Sequence, residues 1–494
     1  MSRLLIRNCS LLVVPETEEC RVDEAQDILV IDGEIVSITP SGTVPPSARA
    51  FRDQRSAPPE RFGQAAVGPT PTLATHPSSA AAPPGVPDAS QPEILDAHGL
   101  LAVPGLTNSH THSPMVMMRG AAEDVPIDAW FNQKIWPMEM NLTPARVRAG
   151  ARLACAEMLL AGVTTFVDHY FHADQIALAA LETGIRADLA PTFFSSTGSE
   201  AREAAFDTAR QIRALGIEPA GGRPPRITAS LGPHAPYTVS DEDLERTAEI
   251  ARAEEFRIHL HAAETLDQTR SSQRRHGATP IEILDRTGVL DTGTLIAHGC
   301  GILPTDLPVL QPHAPHTSIA CCPKVYLKLA MDSTTPIREL QSAGIGIGIG
   351  TDGAAVHNTL DVWESLRLVA LTQKHREQDA EWMPLSDTLR LATRGGATAA
   401  GHPTRTGALE PGRRADITLL DLSAPHNQPL HNPLAALVYS VRPTDVVHVV
   451  VDGEVVVRNR TLTTVDLPEI LTEARAIAHT LTDPTDGAVQ HYAP

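Results

Sequence analysis

No long basic run occurs in this sequence. Its 40 Lys and Arg face 59 Asp and Glu, a formal net charge of −19, whereas a nucleic-acid surface draws its affinity from clustered Lys and Arg. Nucleic acid is therefore not an expected partner. Apolar runs are equally short. None approaches the roughly 18 residues that mark a membrane span, so no membrane partner is expected. The opening MSRLLIRNCSLLVV has a weak signal-peptide character, but Asn8, Cys9 and Ser10 interrupt it and no small-residue cleavage site follows. It reads as a β-strand of a cytoplasmic protein. Cysteine is scarce too: Cys9, Cys20, Cys155, Cys300, Cys321 and Cys322 show no CxxC spacing. That speaks against a zinc ribbon or a disulfide framework and leaves reduced thiols as the expectation. The adjacent Cys321 and Cys322 of SIACCPKVYLKLA remain open as metal ligands, a redox pair or packing.

What is present is an ordinary globular composition, 42% hydrophobic and 20% charged. A chain of 494 residues calls for one large domain with a second attached. Residues 1–39 read as alternating strands with Asp32-Gly33 as a hairpin turn. Residues 45–92 are rich in Pro, Ala, Ser and Thr and lack the apolar residues that offset ordering entropy, so a disordered surface insertion is expected there. After ILDAHG come eight short apolar runs, each leading into a loop and a helical stretch. They are LLAVPGLTNSHTH, VTTFVDHY, ADLAPTFF, ITASLGPHAP, RIHLHAAE, TLIAHGCGI, TSIACCP and GIGIGIGTDG. Eight such units predict an α/β fold of the (β/α)₈ TIM-like barrel type over 97–402, with its site at the strand C-terminal ends. RADITLLDL, DVVHVVVDG and EVVVRN then return to strands. They predict a discontinuous β-sandwich domain from both chain ends (1–96 and 403–470), followed by a C-terminal helix and tail (471–494).

His110 and His112 in SHTH lie two apart, so an extended strand points both to one side. IHLHAAE adds His259, His261 and Glu264, and GTDG adds Asp352. Three imidazoles and one carboxylate gathered from these strand ends suit a zinc shell with room for a water, and the same ligand types accept Fe²⁺ or Mn²⁺.

The segments VPGLTNSHTHSPMVMMRGAAEDVPIDAWFNQKIWPMEMNLT, GVTTFVDHYF, GPHAPYT, HLHAAET, IAHG, GTDGAAVHNTLDVWESLRL and TGALEPGRRADITLLDL resemble the amidohydrolase superfamily. Within it they are similar to the methylthioadenosine, S-adenosylhomocysteine and adenosine deaminases. The resemblance implies one divalent metal held by His110, His112, His261 and Asp352, with zinc as the expected ion. VTTFVDHY offers no lysine to bridge a second metal. It further implies Glu264 as the proton-shuttling acid/base, Asp352 as acceptor of the water proton, and His298 of IAHG beside the attacking water. His259 is expected to face away and pack. Relatives of this kind commonly form homo-oligomers, so a homo-oligomer acting on a small-molecule substrate is expected.

Glu139 and His234 match the residues that grip the sugar in nucleoside-processing relatives, which points to an adenosine-type nucleoside. For Glu139 a solvated helix-end carboxylate is the plain alternative. The stretch CCPKVYLKLAMD departs from the relatives' pattern. Lys324 and Tyr326 are therefore expected to border the pocket and recognise a larger or anionic group, with Cys321 and Cys322 as pocket wall. Arg119 reads as structural, Trp130 and Trp136 as core or base lining, and His169 as a substrate contact or a satisfied polar group. A triazine, pterin or pyrimidine with an amino or chloro substituent is the alternative substrate. A non-catalytic scaffold is a third reading, opposed by the six filled catalytic positions.

Overall fold

A computed structural model describes residues 2–43, 92–216 and 225–482. Residues 45–91 of the expected insertion and 483–494 of the tail lie outside the described residues. Five strands come first: β1 (Arg3–Val13), β2 (Arg21–Ile31), β3 (Glu34–Pro40), β4 (Glu93–Asp96) and β5 (Leu101–Pro104). The eight apolar runs then supply β6 (Leu106–Thr111), β7 (Val163–Tyr170), β8 (Arg186–Phe193), β9 (Ile227–Pro233), β10 (Arg257–Ala262), β11 (Thr294–His298), β12 (Thr317–Cys321) and β13 (Gly346–Ile349). Finally come β14 (Ile417–Leu420), β15 (Val446–Val451), β16 (Glu454–Arg458) and β17 (Thr461–Leu462).

Strands β6 to β13 pair in parallel in sequence order, the barrel that eight β/α units predict. Their near-continuous burial, complete along β6, β7 and β11, explains why they read as apolar runs: both faces of a parallel strand are covered. The helix after β6, Pro144–Leu160, starts where Thr143 accepts the Arg146 N–H and Pro144 takes the first turn. It is followed by Gly162, whose φ of +83° turns the chain into β7.

The barrel closes where the N–H groups of Thr351 and Asp352 donate to the His110 carbonyl at 3.2 and 2.9 Å. The GIGIGIG run allows this approach. A Cβ on Gly348 would sit 2.9 Å from that of Ala399, and one on Gly350 would sit 2.9 Å from Cys322 Sγ and 3.0 Å from His110 Cβ. The glycines face neighbouring barrel strands, and Ile347 and Ile349 join the core.

The expected sandwich from both chain ends is a nine-stranded mixed sheet, ordered β17-β16-β15-β14-β5-β1-β2-β3, with β4 on β1. It encloses a separate core that includes Ile6, Ile28, Val30, Ile35, Ile417 and Leu419. The Asp32-Gly33 hairpin forms with both residues at positive φ, as such a turn requires. This sheet is tied to the barrel floor by ions: Arg186 at the start of β8 donates to both Asp416 oxygens, at 2.8 and 3.1 Å, and to Asp452 at 3.3 Å. Arg414 pairs with the same Asp452. The terminal helix Leu467–Leu481 lies on Pro144–Leu160, where Arg152 meets Glu469 and Glu473. No helix among the described residues is long and apolar enough to cross a membrane.

Candidate metal centre and active site

Each chemical group sits at a strand's C-terminal end because strand periodicity and barrel closure put it there. His110 stands on β6 and His112 one residue past its end, His261 stands on β10, His298 ends β11, and Asp352 follows β13. His112 Nε2 lies 3.2 Å and His110 Nε2 3.8 Å from Asp352 Oδ1, and His261 Nε2 is 3.4 Å from His112 Nε2. The rings are aimed by their other nitrogens. His112 Nδ1 donates to the His169 carbonyl at 2.6 Å, and His261 Nδ1 to the His234 carbonyl at 3.0 Å, which leaves both Nε2 lone pairs pointing at the same space.

His110 Nε2 is buried with no protein partner. A buried nitrogen without a partner is costly, and here it joins two more lone pairs and a carboxylate around one point. The donor set fits a divalent cation: ligand atoms of His110, His112 and Asp352 form one close group, and His261 joins His110 and His298 in a second and His112 and His169 in a third. Burial, reinforced by neighbouring imidazoles, holds His110 well below the usual histidine range and His261 down to about 4, so both are neutral as ligation requires. Burial also works to lower His112, but the hydrogen bond and charge of Asp352 outweigh it and raise His112 to about 9.

His259 does not face away. Positions 259 and 261 are two apart on β10 and therefore share its inner face. His259 Nε2 lies 2.9 Å from His110 Nδ1, one layer below the centre, and fixes that ring in the way backbone carbonyls fix the other two.

Glu264 follows β10 on a turn in which Ala263 takes a φ of +48°. Burial pushes its carboxyl up, the Asp352 charge adds to this, and His261 and the Gln268 amide, 3.2 Å away, oppose it. His298 Nε2 stands 3.9 Å from Glu264 and 3.9 Å from Asp352, and burial lowers its pKa to about 4. A carboxyl inclined to hold a proton, a neutral imidazole and a metal-type cluster thus face one another in one cleft.

In the same cleft, Glu139 accepts the Tyr170 hydroxyl at 2.7 Å. Burial pushes its carboxyl to about 7 against that hydrogen bond and the nearby His112. His234 stacks on Phe194 with ring centres 4.4 Å apart, its Nδ1 2.8 Å from the Thr238 hydroxyl. Trp130, Phe131 and His169 also line the cleft, whereas Trp136 is buried and Arg119 pairs with Glu157.

Lys324 and Tyr326 do not line it. Lys324 Nζ is held by Glu364 at 2.8 Å, and Tyr326 is buried behind His298 with its hydroxyl accepting the Cys322 N–H at 2.7 Å. Cys321 and Cys322 are free and buried, and burial lifts Cys321 to about 11, which keeps its thiol protonated and unreactive. Sequence reasoning missed the Tyr170 bond to Glu139. Its only signal was that β7 ends in a polar aromatic residue, Tyr170, at the barrel mouth.

Residues 101–456 match the Amidohydrolase family, and the chain belongs to that family. A 5-methylthioadenosine/S-adenosylhomocysteine deaminase of Pelotomaculum thermopropionicum is 39% identical over 391 residues, 79% of this chain and 88% of the relative. A 5'-deoxyadenosine deaminase of Methanothermobacter thermautotrophicus is 36% identical over 389 residues, 79% and 89% of the two chains. Among solved structures, an adenosine deaminase from Xanthomonas campestris with bound zinc superposes with a TM-score of 0.81 at 30% identity, covering 97% of this chain and 98% of its own. A zinc-complexed atrazine chlorohydrolase from Arthrobacter aurescens gives 0.77 at 25% identity, covering 96% and 100%.

Proposed function

We propose that this protein is a zinc-dependent hydrolytic deaminase of adenosine-type nucleosides. The observation that carries the reading is that one cleft is lined both by a metal-type cluster with Glu264 and His298 and by Glu139 held by Tyr170. The relatives named as adenosine-type deaminases support it. We assign His110, His112, His261 and Asp352 as ligands, and zinc as the ion because it is bound in the superposing Xanthomonas campestris deaminase. Fe²⁺ and Mn²⁺ suit the same donors. When bound, such a cation lowers the pKa of water toward neutrality and supplies the nucleophile at pH 7.

The protein's side chains do the remaining work. Glu264 delivers a proton to the ring nitrogen beside the amine-bearing carbon, which lets that carbon become tetrahedral, and Asp352 takes the proton of the attacking water. His298 hydrogen-bonds the attacking oxygen and stabilises the charge that develops there. Asp352 passes that proton on to the amine, the C–N bond breaks with release of ammonia, and the hydroxyl left on the carbon returns its proton to Glu264 as the carbonyl forms. Glu139 accepts from two neighbouring sugar hydroxyls and sets the base in register.

Ammonia release from adenosine, 5'-deoxyadenosine and 5'-methylthioadenosine by protein of known metal content tests the reading. Turnover of these nucleosides is expected. Turnover of triazines or pterins alone, unaffected by Glu139→Gln, contradicts the nucleoside assignment.

A further inference from the structure

His298 differs from the other site histidines in how it is held. His112 and His261 are locked by hydrogen bonds from their own Nδ1 to backbone carbonyls, whereas His298 Nδ1 is buried and has no protein partner. Its ring direction therefore depends on its backbone, and that backbone is unusual: φ is +74° at His298 and +64° at Gly299. A residue with a Cβ occupies this region at a cost and stays there only when its surroundings over-determine it.

Those surroundings come from the CCPKVY stretch and the loop after it. The Thr335 hydroxyl donates to the His298 carbonyl at 2.7 Å. The Tyr326 hydroxyl lies 3.5 Å from the same carbonyl and 3.2 Å from Thr335 Oγ1, and it accepts the Cys322 N–H. Thr335 is fixed in turn by Gln373, whose amide donates to its carbonyl at 3.0 Å. Thr335 is fully buried and Tyr326 is 1% exposed, so no water competes for these groups.

We propose that Thr335 and Tyr326 are positioning residues that hold the His298 backbone in its left-handed turn, so that Nε2 points between Glu264 and Asp352. The inference rests on the assignment of His298 to the reacting site. It also gives CCPKVY a role: the stretch aims a catalytic imidazole instead of reading the substrate. Losing the Thr335 hydroxyl relaxes the turn and swings the ring away from the oxygen it stabilises, while the sugar and base contacts stay in place. Misplacing one group in this way lowers kcat and leaves KM.

The test uses full-length, metal-loaded protein carrying Thr335→Val, Thr335→Ser or Tyr326→Phe, each with and without His298→Ala. The expected results for Thr335→Val are a kcat about 10- to 100-fold lower, an unchanged KM and rescue by Thr335→Ser. In the His298→Ala background Thr335→Val costs nothing further, because the residue it acts through is gone. Tyr326→Phe, the milder change, gives a smaller kcat loss with the same epistasis and serves where Thr335→Val does not fold. An unchanged kcat in the folded variants, or the same loss with His298 already replaced, overturns the proposal. If the parent protein deaminates no nucleoside, the functional reading fails, and crystal structures decide the inference separately. His298 leaving positive φ in Thr335→Val or Tyr326→Phe supports it, and an unmoved His298 in both refutes it.

Discussion

Glu139 is a carboxyl whose pKa burial raises to about 7 from an ordinary 4.5, with consequences for both binding and stability. As a carboxylate it offers acceptors to two hydroxyls, and when protonated it offers fewer. The KM for a nucleoside should therefore fall as pH rises through about 7, and in Glu139→Gln this pH dependence should vanish while KM rises about 10- to 100-fold, the equivalent of ~1.5–3 kcal/mol for a hydrogen bond to a charged group. The sign for stability is the reverse. A carboxyl with a raised folded pKa contributes stability that is complete below about 4.5 and is lost as pH rises through about 7. Thermal melting should thus show Glu139→Gln more stable than the parent above pH 7 and no different below pH 4.5. His259 makes the second residue-scale prediction. Removing the ring that orients His110 at 2.9 Å in His259→Ala should weaken metal affinity by ~10- to 100-fold, measured by competition with a chelator. An unchanged affinity would mean that His110 is oriented by something else.

At the scale of elements, the strand ends were legible because their chemistry follows two simple periods. Eight apolar runs give eight parallel strands, and HTH, HLHAAE and GTDG fall at their mouths. The same period-two rule, applied correctly to β10, places His259 inside with His261. What the sequence does not carry is which distant segment a side chain meets. Lys324 and Tyr326 stand at a strand end like the metal ligands do, yet Glu364 and the His298 carbonyl, far away in the chain, take them up. The glycines of GIGIGIG are legible only in hindsight: β13 must pass close to β6, and a Cβ at Gly348 would crowd Ala399 and Ser109. Gly348→Val should cost about 1–3 kcal/mol by overpacking, lowering the melting temperature, whereas an unaffected melting temperature would show that the barrel closes with room to spare.

The whole molecule depends on a joint between the barrel and the sheet built from both chain ends. Arg186, Asp416, Asp452 and Arg414 meet there, and Arg186, Asp416 and Asp452 are each 4% exposed or less. Breaking a buried pair leaves a charge uncompensated, which typically costs ~3–5 kcal/mol. Arg186→Met should accordingly lower the urea midpoint of unfolding, and a midpoint within error of the parent would assign the joint to apolar packing alone. Deamination of adenosine-type nucleosides at this site is tested most directly by one assay, ammonia release by zinc-loaded protein. The predicted result is one ammonia per nucleoside with loss of the adenine absorbance, abolished by Glu264→Gln and by chelation and restored by zinc. No ammonia from any aminopurine nucleoside with metal-replete protein would contradict it.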